Sequence, residues 1–120
     1  MLRLKLSTGV VLAALVAVLA VTPLAVARMH AAAATTVTVK ASEFKFVLST
    51  KTARHGVTIF KVTNKGKTAH DFKIAGKKTA LIKPGKSAKL TVTLKKGKSA
   101  YLCTVPGHAA AGMKGTLTVK

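Results

Sequence analysis

From Thr36 to the end of the chain, apolar and polar residues alternate with a period of two. Val37 and Val39 alternate with Thr38 and Lys40, and Phe44, Phe46 and Leu48 with Glu43, Lys45 and Val47. Val57 to Val62 is β-branched and aromatic and ends at the turn Asn64-Lys65-Gly66. His70, Phe72 and Ile74 alternate with Asp71 and Lys73 up to Gly76, and Leu81-Ile82 precedes the turn Lys83-Pro84-Gly85-Lys86. Leu90, Val92 and Leu94 alternate with Thr91, Thr93 and Lys95; Tyr101 to Thr104 and the Leu117/Val119 segment complete the series. Alternation of this kind buries one face of each strand and leaves the other in water. About seven to eight short strands with turn signals every 8–12 residues predict an all-β sandwich. No stretch has sustained helical periodicity, and no internal repeat is present.

The first 27 residues follow a different pattern. Arg3 and Lys5 precede an unbroken apolar run from Val10 to Val21, Thr22-Pro23 breaks it, and Ala25-Val26-Ala27 supplies small residues. That layout predicts a signal peptide over residues 1–27 and ordinary Sec-type export, since Arg3 and Lys5 are not a twin-arginine pair. The alternative is an uncleaved anchor, which Pro23 disfavours. Residues 28–35 are a small-residue linker, and residues 36–120 form the domain. The expected location is periplasmic, extracellular or associated with the cell envelope.

Composition narrows the function. The chain carries 21 Lys and Arg against two acidic residues, a formal net charge of +19. Such a charge points to an anionic partner: nucleic acid, a membrane or envelope surface, or an acidic protein. Nucleic acid fits poorly. Arg28 and Arg54 are the only arginines beyond the leader, and arginine is the better fork for phosphates and guanine edges. The phenylalanines at 44, 46, 60 and 72 occupy strand-like positions that suggest core. Glu43 and Asp71 are the only carboxylate side chains, which leaves little for acid–base catalysis; the chain is read as a non-enzyme. One explanation for that scarcity is an acidic habitat, where few groups would titrate on folding.

The chemistry lies in Tyr101–Gly115, YLCTVPGHAAAGMKG. It holds the only cysteine, Cys103, then His108 and Met113 in the spacing Cys-x4-His-x4-Met. A lone cysteine in an exported chain forms no internal disulfide; it is a free thiol, half of an intermolecular bond, or a ligand. Thiolate, imidazole and thioether together suit a soft metal. Two histidines and a cysteine in a plane with a weak axial methionine make a blue-copper electron-transfer site. His70, in KTAHDFKIAG, is the candidate for the second histidine. His30 and His55 fall in a linker and a turn and are read as solvated. Each candidate also has a plain structural reading: Cys103 as a small buried hydrophobe, Met113 as a gap-filler, His70 as a satisfied core histidine, His108 as a surface loop residue.

On His70-Asp71-Phe72 and Tyr101–Gly115, the chain resembles the blue-copper cupredoxins, the plastocyanin and azurin family. The half-loop CTVPGH is similar to azurin and rusticyanin, and HAAAGM to plastocyanin and rusticyanin. The resemblance implies a Greek-key β-sandwich and one type 1 Cu(I)/Cu(II) ion held by His70, Cys103, His108 and Met113. It implies a one-electron carrier, monomeric, with His108 as the electron exit through the small apolar residues Val105, Pro106 and Ala109–Ala111. Lysines around the domain would then steer an acidic redox partner. The family often carries Asn after its first histidine; here that position is Asp71. Its carboxylate is expected to accept from the Thr104 hydroxyl and a backbone N–H, tying the two ligand loops together and favouring Cu(II). The competing reading is a copper chaperone or scavenger built on the same site.

Overall fold

The computed structural model describes residues 32–120, together with Gly9, residues 13–18 and Ala20. The expected signal peptide and the first residues of the linker therefore lie largely outside the described residues. Among the described residues, no helix is long and apolar enough to cross a membrane.

Among the described residues, nine strands make two sheets: β1 (Thr35–Ser42), β2 (Lys45–Leu48), β3 (Thr52–Ala53), β4 (Gly56–Asn64), β5 (Lys73–Ile74), β6 (Lys77–Lys78), β7 (Ser87–Leu94), β8 (Gly97–Leu102) and β9 (Lys114–Val119). The first sheet has the order β2-β1-β4-β7 and the second β3-β9-β8-β5-β6. This is the all-β Greek-key sandwich that the alternation and the family resemblance predict. β1 and β4 pair in parallel, with Val37 beside Phe60 and Val39 beside Val62. Parallel neighbours need a crossover connection, so the chain leaves the first sheet after β2, passes through β3 in the second, and returns as β4.

The inward-facing residues are those the period-two pattern assigns: Val37, Val39 and Ala41 of β1, Phe60 and Val62 of β4, Leu90, Val92 and Leu94 of β7, and Leu117 and Val119 of β9. Phe72 is the hub of the core. Its ring lies 5.2 Å from Phe46, 5.1 Å from Phe60 and 5.6 Å from Tyr101, centroid to centroid. Aromatic pairs at such separations add to the burial of their area. Gly115 pairs with Tyr101 across β8 and β9, and any side chain there would collide with the Tyr101 ring.

Several local expectations change. His70, Asp71 and Phe72 do not form an alternating strand: all three are buried, and His70 makes only an isolated bridge with Ile82. Their backbone is held by side chains and loops, so each residue can face inward in its own direction. Phe44 is not core; it sits in the turn between β1 and β2 and is 43% exposed. Leu81 is likewise exposed, while Ile82 beside it is buried. Strand β1 also begins at Thr35, one residue inside the expected linker.

Candidate metal centre

Two loops at one end of the sandwich build the site. The first carries His70, between β4 and β5. Asn64, fully buried at the end of β4, organises it: its Nδ2 donates to the carbonyls of Thr68 (2.7 Å) and Ile82 (2.8 Å), and its Oδ1 accepts from the Gly66 N–H (2.8 Å). His70 and Ile82 exchange backbone hydrogen bonds of 3.2 and 2.7 Å. Every buried polar group here is thus paired, as a buried loop requires. Among the described residues, no buried side-chain nitrogen or oxygen lacks a partner.

The second loop joins β8 to β9 and carries Cys103, His108 and Met113. Val105-Pro106-Gly107-His108 is a tight turn closed by the His108 N–H on the Val105 carbonyl at 3.1 Å. Proline suits its second position and a positive φ its third, the pattern of a type II turn; Gly107 supplies φ 82°. The loop is cross-tied by Cys103 N–H to Met113 carbonyl (3.1 Å) and Met113 N–H to His108 carbonyl (3.0 Å). Those bonds draw its two ends together around one point.

The donor atoms of His70, Cys103 and His108 lie within 4.8 Å of one another. Nδ1 of His70 is 3.1 Å from Nδ1 of His108. The Cys103 sulfur is 4.0 Å from the first and 3.6 Å from the second. His70, Cys103 and Met113 are buried and His108 is half-buried. Two imidazole nitrogens and a thiol facing each other in a largely buried site form a donor set for a soft or borderline metal ion. His55, by contrast, is on the surface, its Nδ1 2.9 Å from the Lys120 carbonyl, and His30 lies outside the described residues.

Burial pushes the Cys103 thiol above its ordinary range, and the Asp71 carboxylate adds to the rise. The backbone N–H groups of Asp71 and Val105 act in the opposite direction by favouring the thiolate. Without a cation this sulfur keeps its proton; a metal ion held there would remove it, since a coordinating thiol is deprotonated. Asp71 accepts the Thr104 N–H at 2.6 Å on Oδ1 and the Thr104 hydroxyl on Oδ2. One buried carboxylate therefore joins the residue after His70 to the residue after Cys103.

Glu43 and Phe44, which the sequence pattern placed on a strand and in the core and not at the site, both reach it from the β1–β2 turn. Glu43 Oε1 lies 3.1 Å from His70 Nε2 and accepts from the N–H groups of Lys67 and Thr68, both at 2.8 Å, and from the Thr68 hydroxyl at 2.9 Å. The Thr68 N–H is the leading cause that holds its carboxyl at about 2, below the ordinary 4.5. The Phe44 ring meets His108 edge-on at 5.0 Å. A signal for Glu43 did exist in the sequence, because it is one of only two acidic residues in a lysine-rich chain.

Beside His108, a shallow cleft of ≈ 420 Å³ is lined by Leu81, Val105 and Pro106, and also by Lys78. Leu81 is 63% exposed. The half-buried histidine therefore opens onto a small apolar surface next to positive charge.

Known proteins share both sequence and architecture with this chain. The copper-resistant cuproprotein CopI of Pseudomonas aeruginosa is 49% identical over 43 residues, 35% of this chain and 24% of that protein. Auracyanin-B of Chloroflexus aurantiacus is 52% identical over 42 residues, 34% of this chain and 18% of that protein. The matches thus span less than a quarter of the length of either relative. Among solved structures, the dithionite-reduced auracyanin of Roseiflexus castenholzii superposes with a TM-score of 0.62 at 21% identity, covering 72% of this chain and 97% of that one. These likenesses are to auracyanins; the similarity of the ligand loop to rusticyanin remains one of sequence alone. Residues 27–120 match the model of copper binding proteins of the plastocyanin/azurin family. The chain accordingly belongs to the plastocyanin/azurin family of copper-binding proteins, and its cofactor is type 1 copper.

Proposed function

We propose that His70, Cys103, His108 and Met113 hold a single copper ion and that the chain is an exported, non-enzymatic one-electron carrier between redox proteins. The observation that carries the assignment is the convergence of His70 Nδ1, His108 Nδ1 and Cys103 Sγ within 4.8 Å, from segments far apart in sequence. Copper supplies the one-electron couple, and the protein's part is to keep the donors in one arrangement for both oxidation states. The two hydrogen-bonded loops and the packed core beneath them support that rigidity. Met113, buried and tied by its backbone to His108 and Cys103, is the fourth ligand, a weak thioether.

His108 is the electron exit in this reading, because it alone among the three converging residues is not fully buried and it borders the apolar cleft. A partner with an acidic docking surface fits the lysine excess, and such steering weakens with salt. Copper resistance is a second reading, motivated by the similarity to CopI. Burial of His70, Cys103 and Met113 favours the carrier, since rapid metal hand-over needs ligands that an acceptor can reach.

The decisive experiment is a visible absorption spectrum of the copper-loaded protein beside Cys103→Ser. An intense thiolate-to-copper band that bleaches on reduction and is lost in the variant is the expected result. A folded, copper-exposed protein without that band would refute the ligand assignment.

A further inference from the structure

The chain has two acidic residues among 120, and both are built into the loops of this centre. Asp71 joins the loops to each other. Glu43 does something different: it reaches the ring of a ligand histidine from a separate element, the β1–β2 turn. Its Oε1 accepts from two consecutive backbone N–H groups, Lys67 and Thr68, and from the Thr68 hydroxyl, and stands 3.1 Å from His70 Nε2. This seat has a shape. At Gly66 a Cβ would collide with both carboxylate oxygens of Glu43, so the absence of a side chain there admits the acid. Gly66 is itself pinned by its N–H on Asn64 Oδ1 at 2.8 Å.

We propose that Glu43 is a positioning residue for the copper centre, which selects the His70 tautomer and biases the metal toward Cu(II). The proposal rests on the ligand assignment above. An ionised carboxylate only accepts hydrogen bonds, so a ring nitrogen that faces it must carry the hydrogen. With Nε2 protonated, the neutral imidazole has its lone pair on Nδ1, the atom turned toward Cys103 and His108. A carboxylate on the far N–H of a ligand imidazole also makes that imidazole more basic. The more basic ligand stabilises the more highly charged ion, which lowers the reduction potential. Because Glu43 is anchored by backbone N–H groups and not by flexible lysines, its position does not relax when the electron leaves.

Three variants separate charge, contact and seat. Glu43→Gln keeps the size and one acceptor oxygen but removes the charge; Glu43→Ala removes both; Gly66→Ala keeps the acid and fills its seat. The readouts are the His70 Nε2–H signal in ¹⁵N-edited NMR of the Cu(I) protein, the Cu(II) affinity, and the reduction potential. In the wild type, an exchange-protected Nε2–H is expected, and Glu43→Ala and Gly66→Ala should both lose it. Cu(II) affinity should fall about 10–100-fold, the usual effect of removing such a partner. Each tenfold loss not matched in Cu(I) affinity raises the potential by about 59 mV. Glu43→Gln, nearly isosteric, should retain the signal and still raise the potential. A loop held only for stability would not move the potential in Glu43→Gln. An unchanged Nε2–H and potential in all three, with the charge-transfer band intact, would overturn the role of Glu43 alone. A wild-type protein without the band would overturn the ligand assignment and this inference together.

Discussion

Asp71 offers the clearest quantitative test of how the His70 and Cys103 loops are joined. It is 4% exposed and accepts two hydrogen bonds from Thr104, one from the backbone N–H at 2.6 Å and one from the hydroxyl. Hydrogen bonds to a charged acceptor contribute about 1.5–3 kcal/mol each, and a donor left unpaired carries a desolvation cost. Asp71→Ala removes both, giving about 3–6 kcal/mol. Thr104 is half-buried, so water can recover part of this, and about 2–4 kcal/mol is the expected loss. That is a large share of the 5–15 kcal/mol typical of a domain. Asp71→Asn should behave differently. Its carbonyl can accept the Thr104 N–H while its NH₂ donates to the Thr104 oxygen, so the bridge survives and only the charge goes. Urea unfolding of the metal-free proteins should place Asp71→Asn within about 1 kcal/mol of wild type, and voltammetry of the copper forms should give it the higher potential. A loss below about 1 kcal/mol in Asp71→Ala, or an unchanged or lower potential in Asp71→Asn, would refute the reasoning.

Other consequences concern protons and packing. The Glu43 carboxyl is held at about 2 instead of 4.5, so its contribution to stability is complete above pH 4.5 and is lost as pH falls through about 2. The stability difference between wild type and Glu43→Gln should shrink across that window, as acid titration followed by circular dichroism can show. A sharp unfolding of the copper form near pH 4 would also contradict adaptation to an acidic habitat. Because burial raises the Cys103 thiol, copper loading near neutral pH should release about one proton, and apparent affinity should fall about tenfold per unit of acidification; calorimetry in buffers of different ionisation enthalpy measures both. Phe72→Ala removes the ring that touches Phe46, Phe60 and Tyr101, and should cost about 3–5 kcal/mol in denaturant unfolding.

The strand faces, the sandwich and the Cys103–Met113 loop were legible in the chain because their information is local. A period of two assigns each residue of β1, β4, β7 and β9 to a face without reference to its neighbours. A thiol, an imidazole and a thioether within one loop, with Pro106-Gly107 as a turn, define a soft donor set by themselves. His70 could be added because few histidines were left to choose from, and Asp71 because it adjoins His70. The contacts that complete the centre are not local. Glu43 meets His70 across 27 positions of sequence, and only the pairing of β1 beside β4 places the β1–β2 turn over the His70 loop. For the same reason Phe44, which alternation assigns to the core, lies against His108, and Asp71, which alternation assigns to solvent, is buried. Periodicity states which way a residue points within its own strand; where strands give way to loops held by Asn64, Glu43 and Asp71, direction is set by hydrogen bonds between distant segments, and these exist only once the two sheets have packed.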